Sequence, residues 1–166
     1  MSIHERLVEY ANYYVGVHEA TGHNDGVNVE EFQKAVDGKA SGESWCMAYV
    51  AFCIKAVANE PDVPLVPSIY FSEHCMTVWN KSPKEAHSDE PKKGFVVIWN
   101  HEGTSNGHTG IITDVDGDTL YTIEGNTSDS SHVEANGDGV YLKKRNKYKT
   151  GNMKVVGFID PFVGME

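Results

Sequence analysis

The chain has 166 residues, 40% of them apolar and 10% aromatic, which suits one domain with one hydrophobic core and excludes a disordered chain. Its 24 acidic against 14 basic side chains give a formal charge of −10. That balance argues against a nucleic-acid partner and disfavours an anionic membrane surface, since both need clustered Lys and Arg.

The first half reads helical. Ser2 and Glu5 form a capping box ahead of Ile3, Leu7, Tyr10, Ala11 and Tyr14, whose spacing predicts a helix ending near Gly16. This N-terminal stretch has no cationic leader followed by an apolar run, so no signal peptide is expected and synthesis in the cytoplasm is. No apolar run approaches about 18 residues, so no membrane anchor is expected. Asn28 and Glu31 repeat the start signal for a short helix closing near Gly38. Ser44 is the expected cap of a third helix reaching Ala58, apolar almost all round and therefore buried. Ser68, after Pro67, is expected to open a fourth towards Trp79 and Asn80.

After Pro91 the period changes. Phe95–Trp99 is an apolar run of strand-forming residues. Gly110–Val115 and Thr119–Ile123 flank Asp116-Gly117, a hairpin signal, and Val140–Leu142 and Val155–Ile159 add two strands. The cationic run Lys143–Arg145, with Lys147 and Lys149, reads as a solvated strand edge. Helices first and antiparallel strands after predict an α+β fold in one domain over 1–166. Its parts are a helical lead-in over 1–43, two helices over 44–80 and an antiparallel sheet over 92–162.

The three cysteines do not fit a secreted disulfide framework. Cys46 and Cys53 lie about 10 Å apart along one helix, too far for a disulfide. Cys53 and Cys75 read as core. Cys46, at the helix start, has two readings. It is either a small buried hydrophobe or a thiol activated by free backbone N–H groups and the macrodipole, which also suit an oxyanion. His108, in Gly107-His108-Thr109-Gly110, is either an ordinary loop residue or the base for that thiol. The hairpin register sets residue 109 nearly opposite 124, so Glu124 or Asn126 falls close enough to fix the His108 tautomer. Tyr70, Trp79 and Trp99 read as core. Ser44 and Trp45 beside the thiol, with Asn100 and His101 in a loop before His108, are the expected substrate contacts. No His/Cys spacing predicts zinc, and no metal or cofactor is expected.

Gly42-Glu43-Ser44-Trp45-Cys46-Met47-Ala48-Tyr49-Val50, then Gly107-His108-Thr109-Gly110-Ile111-Ile112, then Ile123-Glu124-Gly125-Asn126 resemble the CHAP domain within the NlpC/P60-type, papain-like peptidases. Val15–Glu19, Asn24–Gly26 and Val156–Pro161 resemble the lead-in and closing segments of one peptidoglycan-hydrolase branch. The resemblance implies a papain-like N-acetylmuramoyl-L-alanine amidase or peptidoglycan endopeptidase working through an acyl-enzyme. It implies Cys46 as nucleophile, His108 as base, Glu124 as its orienting group and Asn126 as an assisting hydrogen bonder. It also implies peptidoglycan as partner and the cell wall or periplasm as the place of action. Release would be through a holin, as for an endolysin, or through a secretion system, as for an antibacterial effector with an immunity protein. The acidic balance fits a thin wall better than a teichoic-acid-rich one. The Asp-rich calcium loop of some members is absent. Asp25, Glu30 and Glu31 are the substitute cation ligands the sequence offers, a site that is not expected, and Asp114–Asp118 reads as a hairpin turn. Two other readings stay open: a cysteine amidase for a small amide such as a glutathione–polyamine conjugate, and a non-catalytic papain-like binding module.

Overall fold

The capping box at the N-terminus forms. Ser2 Oγ accepts from the Glu5 N–H, and Glu5 Oε2 accepts from the Ser2 N–H, both at 3.1 Å. Helix α1 runs from Ile3 to Tyr13 in the computed structural model, which describes residues 1–63, 66–127 and 138–165. Its spacing buries Ile3, Leu7 and Ala11. Helix α2 spans Val27–Asp37 and closes on Gly38, whose φ of 83° is the left-handed conformation a helix end favours. Its cap is Gly26 rather than Asn28, and Glu30 reaches back to the Gly26 N–H.

Helix α3, Cys46–Ala58, is buried almost all round, as its sequence requires. Its cap is Trp45, with no side-chain bond; Ser44 lies one residue outside and exposed. The expected cap is corrected by one position, which makes Cys46 the first helical residue. Helix α4 covers only Cys75–Lys81, capped by His74. Ser68 does not open it. Its hydroxyl instead accepts the Val163 N–H and its own N–H bonds Pro161 O, so residues near the C-terminus hold this segment out of the helix. A single 3₁₀ turn follows at Lys84–Ala86.

The strands are β1 His87–Ser88, β2 Val96–His101, β3 Gly107–Asp116, β4 Thr119–Thr127, β5 Gly139–Asn146, β6 Lys149–Thr150 and β7 Met153–Ile159. Among the described residues they form one antiparallel sheet in the order β1-β7-β2-β3-β4-β5, with β6 paired to β7. The hairpin loop is Gly117-Asp118, one residue later than expected. A bulge between Ile112 and Asp114 shifts the β3–β4 register. The expected sheet span of 92–162 includes 128–137, which lie outside the described residues. Residues Val15–Glu19 run alongside the start of β5, with bonds from Gly16 N–H to Val140 O and from Val140 N–H to Val17 O. They cover what would otherwise be a bare strand edge.

The fold is α+β, as expected: helices packed on one face of an antiparallel sheet. Helix α3 packs between α1 and α2 on one side and β3 and β4 on the other. Strand β2 is buried on both faces. Val96 and Ile98 join the core under the helices, while Phe95, Val97 and Trp99 join Ile112, Leu120, Met153 and Phe158 in a second cluster on the other face. Leu120, Thr122 and Glu124 alternate along β4, and the strand period puts all three on that second face.

Candidate active site

Cys46 sits at the first turn of α3, where the backbone N–H groups have no helical acceptor. Three neighbours act on its thiol. The Cys75 thiol lies 3.7 Å from its sulfur. The His108 imidazole is close enough to act through a hydrogen bond and through charge, and the Met47 N–H also contributes. Cys46 is thereby held well below the ordinary thiol pKa. The hydrogen bond from Cys75 is the largest cause, and together with His108 it outweighs the burial that opposes the charge. Cys75 is shifted the other way, well above the ordinary value, because its proton is donated to Cys46 and because it is buried.

His108 is buried on β3 beside Trp99, its cross-strand neighbour. The two rings stack with centroids 5.7 Å apart and planes 21° apart. His108 Nε2 is 2.9 Å from Glu124 Oε1, which leaves Nδ1 as the ring nitrogen for the thiol. Burial pushes the imidazole pKa down, but Cys46 and Glu124 overcome this and raise it to about 9. Both shifts favour a thiolate paired with an imidazolium.

Glu124 is fully buried, and a carboxylate there needs full compensation. Arg145 provides most of it, with Nε donating to Oε2 at 2.9 Å and Nη2 donating to Oε1. Thr122 Oγ1 donates to Oε2 at 2.5 Å. Burial alone would raise the Glu124 pKa; Arg145 and His108 reverse that and hold it at about 2. The Arg145 guanidinium carbon also lies 5.5 Å from the centroid of the Trp99 ring. One indole thus backs both cations of the cluster.

Arg145 is a correction to the reading of the basic run. The run is on the edge strand β5, but Arg145 is 5% exposed. The missed signal is strand parity: Arg145 pairs with Leu120, which shares a face with Glu124. Cys75, expected as plain core, instead sets its sulfur 3.7 Å from that of Cys46.

Two glycines let the elements close. A Cβ on Gly125 would come within 2.9 Å of Trp45 and Tyr49, so only glycine lets β4 meet the first turn of α3. A Cβ on Gly110 would come within 2.6 Å of Glu124 Cγ. Asn126 follows, with a φ of 53° at a break in the β4–β5 register. Asparagine tolerates that conformation better than most residues. Its Oδ1 is buried and has no hydrogen-bond partner among the described residues.

The expected substrate contacts divide. Trp45 is fully buried, its indole N–H bonded to Glu19 Oε2 at 2.7 Å. It is a packing wedge rather than an open platform, and that expectation is corrected. Ser44 is exposed next to the thiol helix. Asn100 and His101 belong to the end of β2 rather than to a loop. Asn100 Nδ2 is used within the turn, donating to the Thr104 and Asn106 carbonyls. The His101 pKa is lowered by burial first and then by the charge of His108, which places His101 near the cluster. Asp25 is engaged by Thr21, and no metal-binding group of three or more His, Cys, Asp or Glu occurs among the described residues. Nor, among them, is any helix long and apolar enough to cross a membrane.

A buried thiolate, an imidazolium and a compensated carboxylate in sequence can perform nucleophilic attack on a carbonyl, with proton return to a leaving group. No curated protein matches the sequence. A solved structure described as "The crystal structure of Ly7917" is similar at 14% identity with a TM-score of 0.48, over 97% of this chain and 63% of that one. The chain thus spans less than two thirds of that structure's length. The CHAP domain model matches residues 38–126. CHAP domains are in general hydrolases of the amidase or peptidase type directed at peptidoglycan. The match takes in more than half the sequence and includes Cys46, His108, Glu124 and Asn126, and the chain belongs to the CHAP domain family.

Proposed function

We propose that the protein is a cysteine hydrolase that cuts an amide bond of peptidoglycan, as an N-acetylmuramoyl-L-alanine amidase or an endopeptidase, with residues 1–166 acting as one catalytic unit. The observation that carries this reading is the buried chain of Cys46, His108 and Glu124, with the thiol pKa lowered and the imidazole pKa raised. The Cys46 thiolate attacks the amide carbonyl carbon. The oxyanion that forms is held by the Cys46 N–H at the start of α3. Collapse breaks the C–N bond, and His108 gives its proton to the departing amine. A water then gives a proton to neutral His108 and attacks the thioester, releasing a carboxylate and restoring the thiolate. Glu124 fixes the ring so that Nδ1 faces the sulfur, and Asn126 assists by hydrogen bonding. Ser44, Asn100 and His101 border the approach to the sulfur and contact the substrate.

Such a hydrolase reaches the wall through a holin, in the manner of an endolysin, or through a secretion system, in the manner of an effector countered by an immunity protein. The test is incubation with purified sacculi. The wild-type protein releases soluble fragments and Cys46→Ala does not. Mass spectrometry of the fragments assigns the bond: free L-Ala amines mean an amidase, and new stem-peptide amines mean an endopeptidase. Intact sacculi with the wild-type protein would overturn the substrate.

A further inference from the structure

Cys75 stands out because the reaction just described has no covalent use for it. Its sulfur is 3.7 Å from that of Cys46, and the two residues open α3 and α4. The closeness is built in. A Cβ on Gly107, next to His108, would come within 2.5 Å of Trp99 O and 3.0 Å of Cys75 Cβ, so β3 passes tightly against the start of α4. Both sulfurs are nearly buried, yet the Cys46 sulfur must be reachable if it is to meet a substrate. Cys53 has no comparable partner sulfur among the described residues and lies two turns along α3.

We propose that Cys75 is a resolving thiol, which joins Cys46 in a reversible disulfide when the protein meets hydrogen peroxide or a related hydroperoxide. This rests on the reading of Cys46 as the reactive thiolate. In the first step the Cys46 sulfur attacks one peroxide oxygen. An S–O bond forms, the O–O bond breaks, and the departing hydroxide takes a proton to become water. Cys46 is now a sulfenic acid. Cys75 then loses its proton and attacks that sulfur. The S–S bond forms, the S–O bond breaks, and a second water leaves. Two thiols and one peroxide give one disulfide and two waters, with the sulfurs oxidised and the peroxide reduced. The sulfurs must close from 3.7 Å to about 2.05 Å, a shift within reach of side-chain rotation at two helix starts. The bond removes the nucleophile, so the oxidised protein is inactive, and a dithiol reductant restores it. The same bond also keeps Cys46 from passing on to sulfinic acid, which thiols do not reverse.

The experiment uses the reduced full chain. Iodoacetamide labelling is measured first, then a small excess of hydrogen peroxide is added and the protein is analysed without reductant. The expected result is a mass loss of about 2 Da, a Cys46–Cys75 linked peptide, loss of labelling at Cys46, and full recovery with dithiothreitol. In Cys75→Ser, and in Cys75→Ala as a second variant, peroxide should instead add about 32 Da to Cys46, and dithiothreitol should not reverse it. Rapid labelling of Cys46 followed by irreversible oxidation of the wild-type protein, or a link to Cys53, overturns this proposal and leaves the hydrolase reading intact. Absence of labelling before peroxide is added overturns the thiolate reading and this proposal with it.

Discussion

Helix α3 carries the same chemical group at its start and two turns along, in nearly the same degree of burial, yet treats it in opposite ways at the two places. At the N-terminal end Cys46 is held well below the ordinary thiol pKa by Cys75 and His108. Seven residues along, burial drives Cys53 far above the thiol range, against a smaller opposing hydrogen bond with Tyr49. Burial alone therefore does not set the pKa of a thiol here. What differs is the set of partners that the sheet and α4 bring to one helix end, added to the free N–H groups found only there.

The sharpest way to break that contrast is competitive alkylation near neutral pH. Iodoacetamide should modify Cys46 well ahead of Cys53, read by peptide mapping over time. Comparable rates would mean the two positions are chemically alike. A second test removes the support behind the N-terminal end. Arg145→Met leaves the Glu124 carboxylate buried without its main counter-charge, which should cost about 3–5 kcal/mol of stability in urea unfolding. It should also slow Cys46 alkylation, because Glu124, no longer held by Arg145, fixes His108 less firmly; a variant of unchanged stability would show Arg145 to be dispensable. The smallest effect concerns pH. The Glu124 pKa falls from 4.5 to about 2, so its stabilisation is present above pH 4.5 and is lost as pH falls through 2. The His108 pKa rises from 6.5 to about 9, so its stabilisation is complete below pH 6.5 and is lost as pH rises through 9. Cys46, held below the ordinary thiol pKa, has lost a proton over the same range in which His108 has kept one, so the two offset each other and the alkaline side stays nearly flat. The thermal midpoint should fall by the equivalent of about 2–3 kcal/mol as pH drops from 4.5 through 2. Glu124→Gln should flatten that acid flank, and an unchanged slope would contradict the assignment.

What the sequence reveals depends on how local the deciding contact is. The Ser2–Glu5 box is settled within one turn, and both of its bonds form where expected. The closeness of His108 and Glu124 was readable because one hairpin joins them, although the bulge near Thr113 shifts the register that arithmetic alone supplies. The start of α4 was not readable, because Ser68 is claimed by Val163, far along the chain. Arg145 was hidden among its basic neighbours, since its role depends on pairing β5 with β4 rather than on composition. Cys75 was hidden because its partner sulfur lies 29 residues away on another helix. Trp45 was misjudged because sequence adjacency to a reactive residue does not give a side chain the same exposure.

The counter-ion of Glu124 has a practical consequence for cutting and grafting this molecule. The segment that defines the family ends at Asn126, but the guanidinium that neutralises its buried carboxylate comes from β5, beyond that boundary. The lead-in residues that guard β5 come from before it. A chimaera carrying only 38–126 would inherit the thiol, the imidazole and the carboxylate with one buried negative charge left over. A transplantable unit has to take in Val15–Glu19 and β5 as well, so for this protein the recognisable motif and the smallest self-sufficient module are different lengths of chain.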